Sequence, residues 1–283
     1  MRRKQNTTIL KILIGLILFI FVALIIKTLD DKRIKDEQEA AEAATHEIDF
    51  SKIENISGKY SYEDDYYTSS FGIDVSEFQK DINWTKVKND FVDFAYLRLG
   101  RRGATTGGLY VDEYFERNYE GAKANDLKVG VYFFSQALDE KEAREEAQFV
   151  LETLNGREVD LPIVFDCEEV FLEEGLLSRI FLLDKNQLTK NAIAFMEEIK
   201  KNGYEAAVYT YPYWLTNYYI LDDLKVYPIW YAQYDVGYPE LDCPIYIWQY
   251  SNVGTINGIT GDTDLNIMFI KKDVDWWTNS KRN

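Results

Sequence analysis

Short apolar runs rich in β-branched and aromatic residues punctuate the chain from Phe71 onward. They are Phe71–Val75, Phe94–Leu99, Val129–Phe134, Leu161–Asp166, Ala206–Tyr211, Ile229–Gln233, Ile245–Tyr250 and Leu265–Ile270. Runs of that length and composition predict eight buried strands. Between the early ones the apolar spacing becomes helical. Asp112–Asp126 carries Phe115, Tyr119 and Ala122 on one face, and Glu140–Leu154 places Ala143, Ala147, Val150 and Leu154 at helical spacing. A third helix is predicted from Asp184, an N-cap with Gln187 three residues on. It buries Leu188, Ala192, Phe195 and Ile199 and stops at Gly203. After about Ile220 the last three strands leave no room for full helices between them. Strand–helix alternation with a strand-rich end predicts an α/β fold, a TIM-like barrel with eight strands and fewer than eight helices. A doubly wound open sheet is the alternative, although no glycine-rich strand-to-helix turn of the dinucleotide type supports it.

Ahead of the domain the pattern differs. Ile12 to Ile26 is an unbroken apolar run, extended by the stems of Lys11 and Lys27 and by Leu29. Its total of roughly 18 residues is near the minimum for crossing a bilayer. Arg2, Arg3 and Lys4 precede it, which predicts a cytoplasmic N-terminus with the rest of the chain outside. A cleaved signal peptide competes with this reading because the run is short. Cleavage needs small residues just after the apolar core, and Lys27-Thr28-Leu29-Asp30-Asp31 offers none; Ala41-Glu42-Ala43 fits but lies too far on. The expected organisation is a cytoplasmic tail over 1–8, a transmembrane anchor over 9–29, an extracytoplasmic tether over 30–70 and a compact domain over 71–283. The tether region shows alternating charge, then alanine and glutamate, then acidic and tyrosine-rich sequence, with no apolar periodicity.

Charge and rare residues narrow the chemistry. The chain holds 48 acidic against 32 basic residues, and five of the basic ones precede Asp30 with no acidic residue among them. A domain that acidic repels phosphate backbones, so no nucleic-acid partner is expected. The one histidine, His46, lies ahead of the domain. That excludes Ser-His-Asp and Cys-His catalysis and zinc sites built on several histidines. A hydrolase here works with carboxylates, tyrosines or a carboxylate-bound metal. Cys167 and Cys243 are too few for a disulfide framework; small buried apolar residues, a disulfide and a reactive thiol all remain open.

In a barrel, catalytic side chains come from the carboxyl ends of strands. Asp74 closes the first strand, Asp166 and Glu168 close the fourth, and Asp264 lies next to the last. Residues two apart in a strand share a side, so Asp166 and Glu168 point together with α-carbons roughly 6–7 Å apart. Two carboxylates beside an apolar wall do not both ionise easily: one becomes a proton donor near neutral pH while the other stays charged. That pair is equipped to protonate a glycosidic oxygen. Taken singly, an acidic residue at a strand end is more simply solvated or caps the next helix; four converging by topology favour function. Tyr132, Phe134, Tyr211, Trp230, Trp248 and Tyr250 sit in or just after strands, where aromatic rings pack on sugar faces. Gln233 and Gln249 are placed to bond hydroxyls, while part of the aromatic set is simply core.

Several motifs together resemble glycoside hydrolase family 25, the lysozymes that cleave peptidoglycan between N-acetylmuramic acid and N-acetylglucosamine. They are Gly72-Ile73-Asp74-Val75-Ser76 with Gln79 and Ile82-Asn83-Trp84, then Gly130-Val131-Tyr132-Phe133-Phe134, Asp166-Cys167-Glu168, Trp248-Gln249-Tyr250 and Asp264-Leu265-Asn266. The resemblance covers about Phe71 to Ile270. It implies an eight-stranded barrel with about five flanking helices, Glu168 as general acid, and Asp166 assisting attack by the substrate's own 2-acetamido group. Asp74 and Asp264 would line the same cleft. Direct attack by a carboxylate nucleophile remains open beside the acetamido-assisted route. The implied partners are peptidoglycan glycan strands and, through the N-terminal helix, the cell membrane, with the catalytic domain outside and facing the wall. No cofactor and no resident metal are expected. Two features depart from the pattern. The chain ends about a dozen residues after its last strand, where many secreted relatives carry wall-binding repeats. Glu169–Leu183, with Leu172, Leu176, Ile180 and Leu183 at helical spacing, follows the catalytic strand as either a packed helix or a lid. A non-catalytic tethered glycan-binding module and an unrelated barrel enzyme holding a divalent metal on carboxylates are the competing functions.

Overall fold

The computed structural model describes residues 27–29, 32, 47–170, 172, 177–241 and 243–272. The chain divides into two compact units, Met1–Glu47 and Ile48–Asn283. In the first, Lys27–Leu29 are helical. The expected anchor over Ile12–Ile26 lies outside the described residues, and among those described no helix is long and apolar enough to cross a membrane.

The second unit is a closed barrel. Its eight staves are β3 (Tyr67–Val75), β4 (Phe94–Arg102), β6 (Lys128–Phe134), β7 (Ile163–Asp166), β8 (Ala206–Thr210), β9 (Ile229–Ala232), β10 (Ile247–Gly254) and β11 (Thr263–Lys271). They pair in chain order, and β11 returns to β3 to close the ring. Seven staves run parallel; β11 is antiparallel to both of its neighbours. A hairpin of β1 (Glu54–Ile56) and β2 (Lys59–Ser61) precedes the barrel, and β5 (Leu109–Val111) folds back on the end of β4.

Alternation along each stave sorts its side chains. Phe94, Tyr96, Val164, Ala207, Trp230, Ile247 and Met268 fill the interior, while residues of opposite parity such as Ile73, Leu97, Val131, Phe165, Val208 and Ile267 belong to the surrounding core. Two glycines make room for the interior rings. A Cβ at Gly72 would come within 2.4 Å of Phe94, and one at Gly130 within 2.3 Å of Tyr96. Tyr96 then packs on Trp230 with centroids 4.7 Å apart. The interior is a packed core beneath an open rim, not a pore.

Helices α1 (Trp84–Asn89), α2 (Phe115–Ala124), α3 (Glu140–Leu154), α4 (Lys185–Lys201), α5 (Pro212–Tyr218) and the short α6 (Leu221–Leu224) flank the ring. The α4 cap is as expected: the Asp184 carboxylate accepts the Gln187 N–H at 2.9 Å. Gly203, with φ +85°, turns the chain away after its last residues. The helix expected over Asp112–Asp126 is shorter at its start, because the Asp112 carboxylate is occupied by the N–H groups of Tyr114 and Glu77 and by Arg98.

Two expectations are corrected. The compact domain opens at Ile48 rather than Phe71. Tyr62 is buried, Tyr60 stacks on Tyr250 at 4.0 Å, and the Tyr250 hydroxyl donates to the Gly58 carbonyl at 2.9 Å. This binding is carried by aromatic contacts distant in sequence, which leave no periodicity. The helical spacing over Glu169–Leu183 gives no helix in its described part: Arg179–Leu182 form turns, and 171 and 173–176 lie outside the described residues. Tertiary bonds compete with a helix there. The Arg179 N–H donates to the Ala104 carbonyl at 2.8 Å, and its guanidinium pairs with Glu142 at 2.8 Å.

Candidate active site

Asp74 sits on the inner face near the end of β3, 6% exposed. Its Oδ2 accepts from Gln249 Nε2 and Asn266 Nδ2, each at 2.8 Å. Both amides are themselves oriented. Asn266 Oδ1 accepts the Trp230 indole N–H at 2.8 Å, and Gln249 Oε1 accepts the hydroxyls of Tyr209, at 3.2 Å, and Tyr234. Burial pushes Asp74 up to about 6, against the pull of hydrogen bonds from Asn266, Gln249 and Asp264. Asp264 lies across the seam, half-buried. Burial, then the charge and hydrogen bond of Asp74, push it up to about 9.

Asp166 ends β7 and is 5% exposed, with Oδ1 buried and lacking a hydrogen-bond partner. Glu168, two residues on, is partly exposed. Their carboxyls meet at hydrogen-bonding distance. Burial raises Asp166 well above the usual carboxylate range, with Glu168 and Asp74 adding to the rise and Arg98 opposing it. Burial likewise pushes Glu168 up to about 7, opposed by its hydrogen bond with Asp166. The two titrate as a pair that keeps a proton at neutral pH.

The backbone of this pair is braced from behind. The Ser135 N–H donates to the Asp166 carbonyl at 2.6 Å, and Gln136 Nε2 donates to the Glu168 carbonyl at 3.1 Å. Ser135 Oγ in turn donates to the fully buried Glu146 at 2.6 Å, which also takes Arg102 Nε at 2.7 Å.

A cleft of about 320 Å³ opens at this rim. All four expected carboxylates line it, with Tyr132, Phe134, Trp230 and Gln249 from the expected binding set. Tyr211, Gln233 and Trp248 do not line it. Trp248 is fully buried on the outer side of β10, where its indole N–H donates to the Gln233 carbonyl at 2.9 Å. The Gln233 side chain accepts the Glu240 N–H at 2.8 Å and so holds a loop. Tyr211 caps α5 and packs near Trp214 at 6.2 Å. Alternation explains the first two: adjacent residues cannot share a face, and Gln249 and Ala232 take the inner one.

The sequence reading omitted Arg98, Tyr209, Tyr234 and Phe78, all of which line the cleft. Arg98 had a signal. It shares parity with Phe94 and Tyr96 in an otherwise apolar strand, so its charge must face inward. It pairs there with Asp112 at 2.8 Å and Glu77 at 2.7 Å.

The family model for glycosyl hydrolases family 25 matches residues 73–259, which takes in Asp74, Asp166 and Glu168 and stops short of Asp264. The autolytic lysozyme of Clostridium acetobutylicum is 31% identical over 197 residues, 69% of this chain and 54% of that protein. The chain thus spans about half the length of that relative. The modular autolysin LytC of Streptococcus pneumoniae, solved with a synthetic peptidoglycan ligand, matches with a TM-score of 0.65 at 23% identity, covering 77% of this chain and 52% of that one. A family 25 glycosyl hydrolase from Bacillus anthracis matches with a TM-score of 0.60 at 22% identity, covering 76% and 94%. At those identities the two structures speak to the fold, while the family model and the Clostridium relative speak to descent. By the family model, the chain belongs to glycosyl hydrolases family 25.

Proposed function

We propose that this chain is a membrane-anchored muramidase that hydrolyses the β-1,4 bond between N-acetylmuramic acid and N-acetylglucosamine in peptidoglycan. The observation that carries the reading is the Asp166–Glu168 pair, whose carboxyls meet in the cleft and are both raised by burial, which favours retention of a proton near neutral pH. Glu168 is the more exposed member and delivers that proton to the glycosidic oxygen. Asp166, whose carboxyl is raised by burial with Arg98 opposing the rise, orients the substrate's acetamido N–H and in its ionised form stabilises positive charge developing at the anomeric carbon. The acetamido oxygen attacks that carbon and the leaving sugar departs with the proton. Water then opens the cyclic intermediate with Glu168 as base, and the product keeps the β configuration. Asp74, fixed by two amide donors, and Asp264 present a rigid polar floor to the sugar hydroxyls.

The apolar run Ile12–Ile26 with its basic flank supports a retained anchor, which places the enzyme at the outer face of its own membrane. Mass analysis of fragments released from purified peptidoglycan by the full chain tests the reading. New reducing ends on N-acetylmuramic acid are expected. Reducing ends on N-acetylglucosamine, or glycan bound without release of fragments, would overturn it.

A further inference from the structure

Phe78 is an exposed phenyl ring, 75% accessible, at the mouth of the cleft it lines. A single exposed aromatic is ordinary on a protein surface, and Phe91 at 79% is such a case, sitting in a turn with Lys59 over its ring. Phe78 differs in how firmly it is presented. It occupies the middle of the 3-10 turn Glu77–Gln79, which follows β3 four residues after Asp74. Ser76 Oγ accepts the Phe78 N–H at 3.3 Å, and Gln79 Oε1 accepts the Ser76 N–H at 2.9 Å. The Glu77 N–H donates to Asp112 Oδ2 at 2.9 Å, and the Glu77 carboxylate takes Arg98 at 2.7 Å. Gln79 Nε2 reaches the Asp262 carbonyl, just ahead of the neighbouring β11, at 3.3 Å. Both neighbours of Phe78 in the turn are therefore tied to other parts of the barrel. The Arg98 guanidinium, itself buried, lies against one face of the ring at 5.0 Å and leaves the other face open. The structure spends a capping box and a buried ion-pair network on holding one apolar ring in water.

We propose that Phe78 is a sugar-stacking platform, its open face receiving the apolar face of a pyranose ring of the glycan strand as that strand enters the catalytic cleft. A flat apolar surface, borne on a turn whose neighbours are hydrogen-bonded to the barrel and contiguous with the carboxylates, matches the C–H face of a pyranose. Its reach to Asp74 on the cleft floor is short, since four residues of extended chain span at most about 14 Å. The assignment rests on the glycan-cleaving reading of the same cleft and extends it to a subsite on the β3–β4 side.

The full chain is compared with Phe78→Ala, Phe78→Trp and the control Phe91→Ala, on soluble uncrosslinked glycan strands and by co-sedimentation with insoluble peptidoglycan. Phe78→Ala should raise KM roughly three- to ten-fold with kcat changed by less than about two-fold, the signature of lost binding shared by ground and transition states. Its thermal midpoint and pH profile should match the parent, because the ring is exposed and transfers no proton. Phe78→Trp should restore KM, and Phe91→Ala should leave it unchanged. An unaltered KM in Phe78→Ala, or a fall in kcat accompanied by a lower thermal midpoint, would overturn the platform. If the parent chain releases no fragments, the cleavage reading fails separately. The platform is then read from co-sedimentation alone, where weaker retention of Phe78→Ala supports it and equal retention overturns it.

Discussion

Asp264 lies directly opposite Asp74 in the antiparallel register of β11 and β3, and their carboxyls meet at hydrogen-bonding distance. Asp74 nears the end of its strand while Asp264 begins one. They reach the same rim only because β11 runs against the other seven staves. The pair stands in the cleft beside Asp166 and Glu168, so four carboxyls titrate together. Burial is the leading cause of the rise in each.

That seam makes stability depend on pH in a defined sense. Asp264 is pushed up to about 9, so the folded chain holds its proton more tightly than the unfolded chain does. The contribution is present in full below the ordinary carboxylate range and is lost as pH rises through about 9. Asp264→Asn keeps the shape and a donor for Asp74 but cannot ionise. The thermal midpoint of Asp264→Asn relative to the parent should therefore climb steadily from about pH 5 to about pH 9. A difference that stays flat across that range would show that the proton is not held at this seam.

Glu168→Gln should reduce glycan cleavage by about 10²–10⁴-fold, the usual worth of general acid catalysis, while leaving the fold intact. Glu168 is pushed up to about 7, so the parent rate should fall as pH rises above that value and the acid loses its proton. Turnover by the variant within a few-fold of the parent, with matching thermal unfolding, would remove Glu168 from the role of acid.

Asp166→Asn should be severe for a different reason. It removes the charge that steadies the developing positive centre, yet preserves the polar contact with Glu168. In the parent, the product formed first should be the β-anomer by NMR, as expected for acetamido assistance and for any retaining route. An α-anomer appearing first would require a single inverting displacement by water.

Much of the barrel was legible because its staves are short, continuous apolar runs. Phe94–Leu99 and Val129–Phe134 announce themselves by composition, and Asp184 with Gln187 marks where α4 begins. Strand direction was not legible, since the period of two is the same whichever way a stave runs; the reversal of β11 had to be seen. Parity within a stave is legible and decides which of two neighbours faces the cleft. Trp248 and Gln249 are neighbours, so only one of them can face the cleft, and it is Gln249. Residues 48–70 were hidden for another reason. Tyr60 finds Tyr250 and Trp248 far along the chain, and such pairs have no local signature. The bracing of the site by Ser135, Gln136 and Glu146 is equally non-local, because it arises where the chain leaving β6 meets both Glu146 on α3 and the end of β7.

The proposed placement of the enzyme rests on the run Ile12–Ile26 and the basic residues ahead of it. If that run is retained as an anchor, the protein should fractionate with membranes at its full 33.1 kDa. The compact unit begins at Ile48, so a tether between the proposed anchor and that unit would be confined to residues 30–47. Residues 30–47 span at most about 60 Å when fully extended, and far less as a flexible coil. An enzyme so held would act only on wall close to its own membrane, which suits local remodelling rather than attack on other cells. Protease added from outside should release the domain by cutting ahead of Ile48, because the hairpin and β3 that follow are packed on the barrel. Recovery from the medium of a mature form whose N-terminus falls between 30 and 45 would instead identify the apolar run as a cleaved signal.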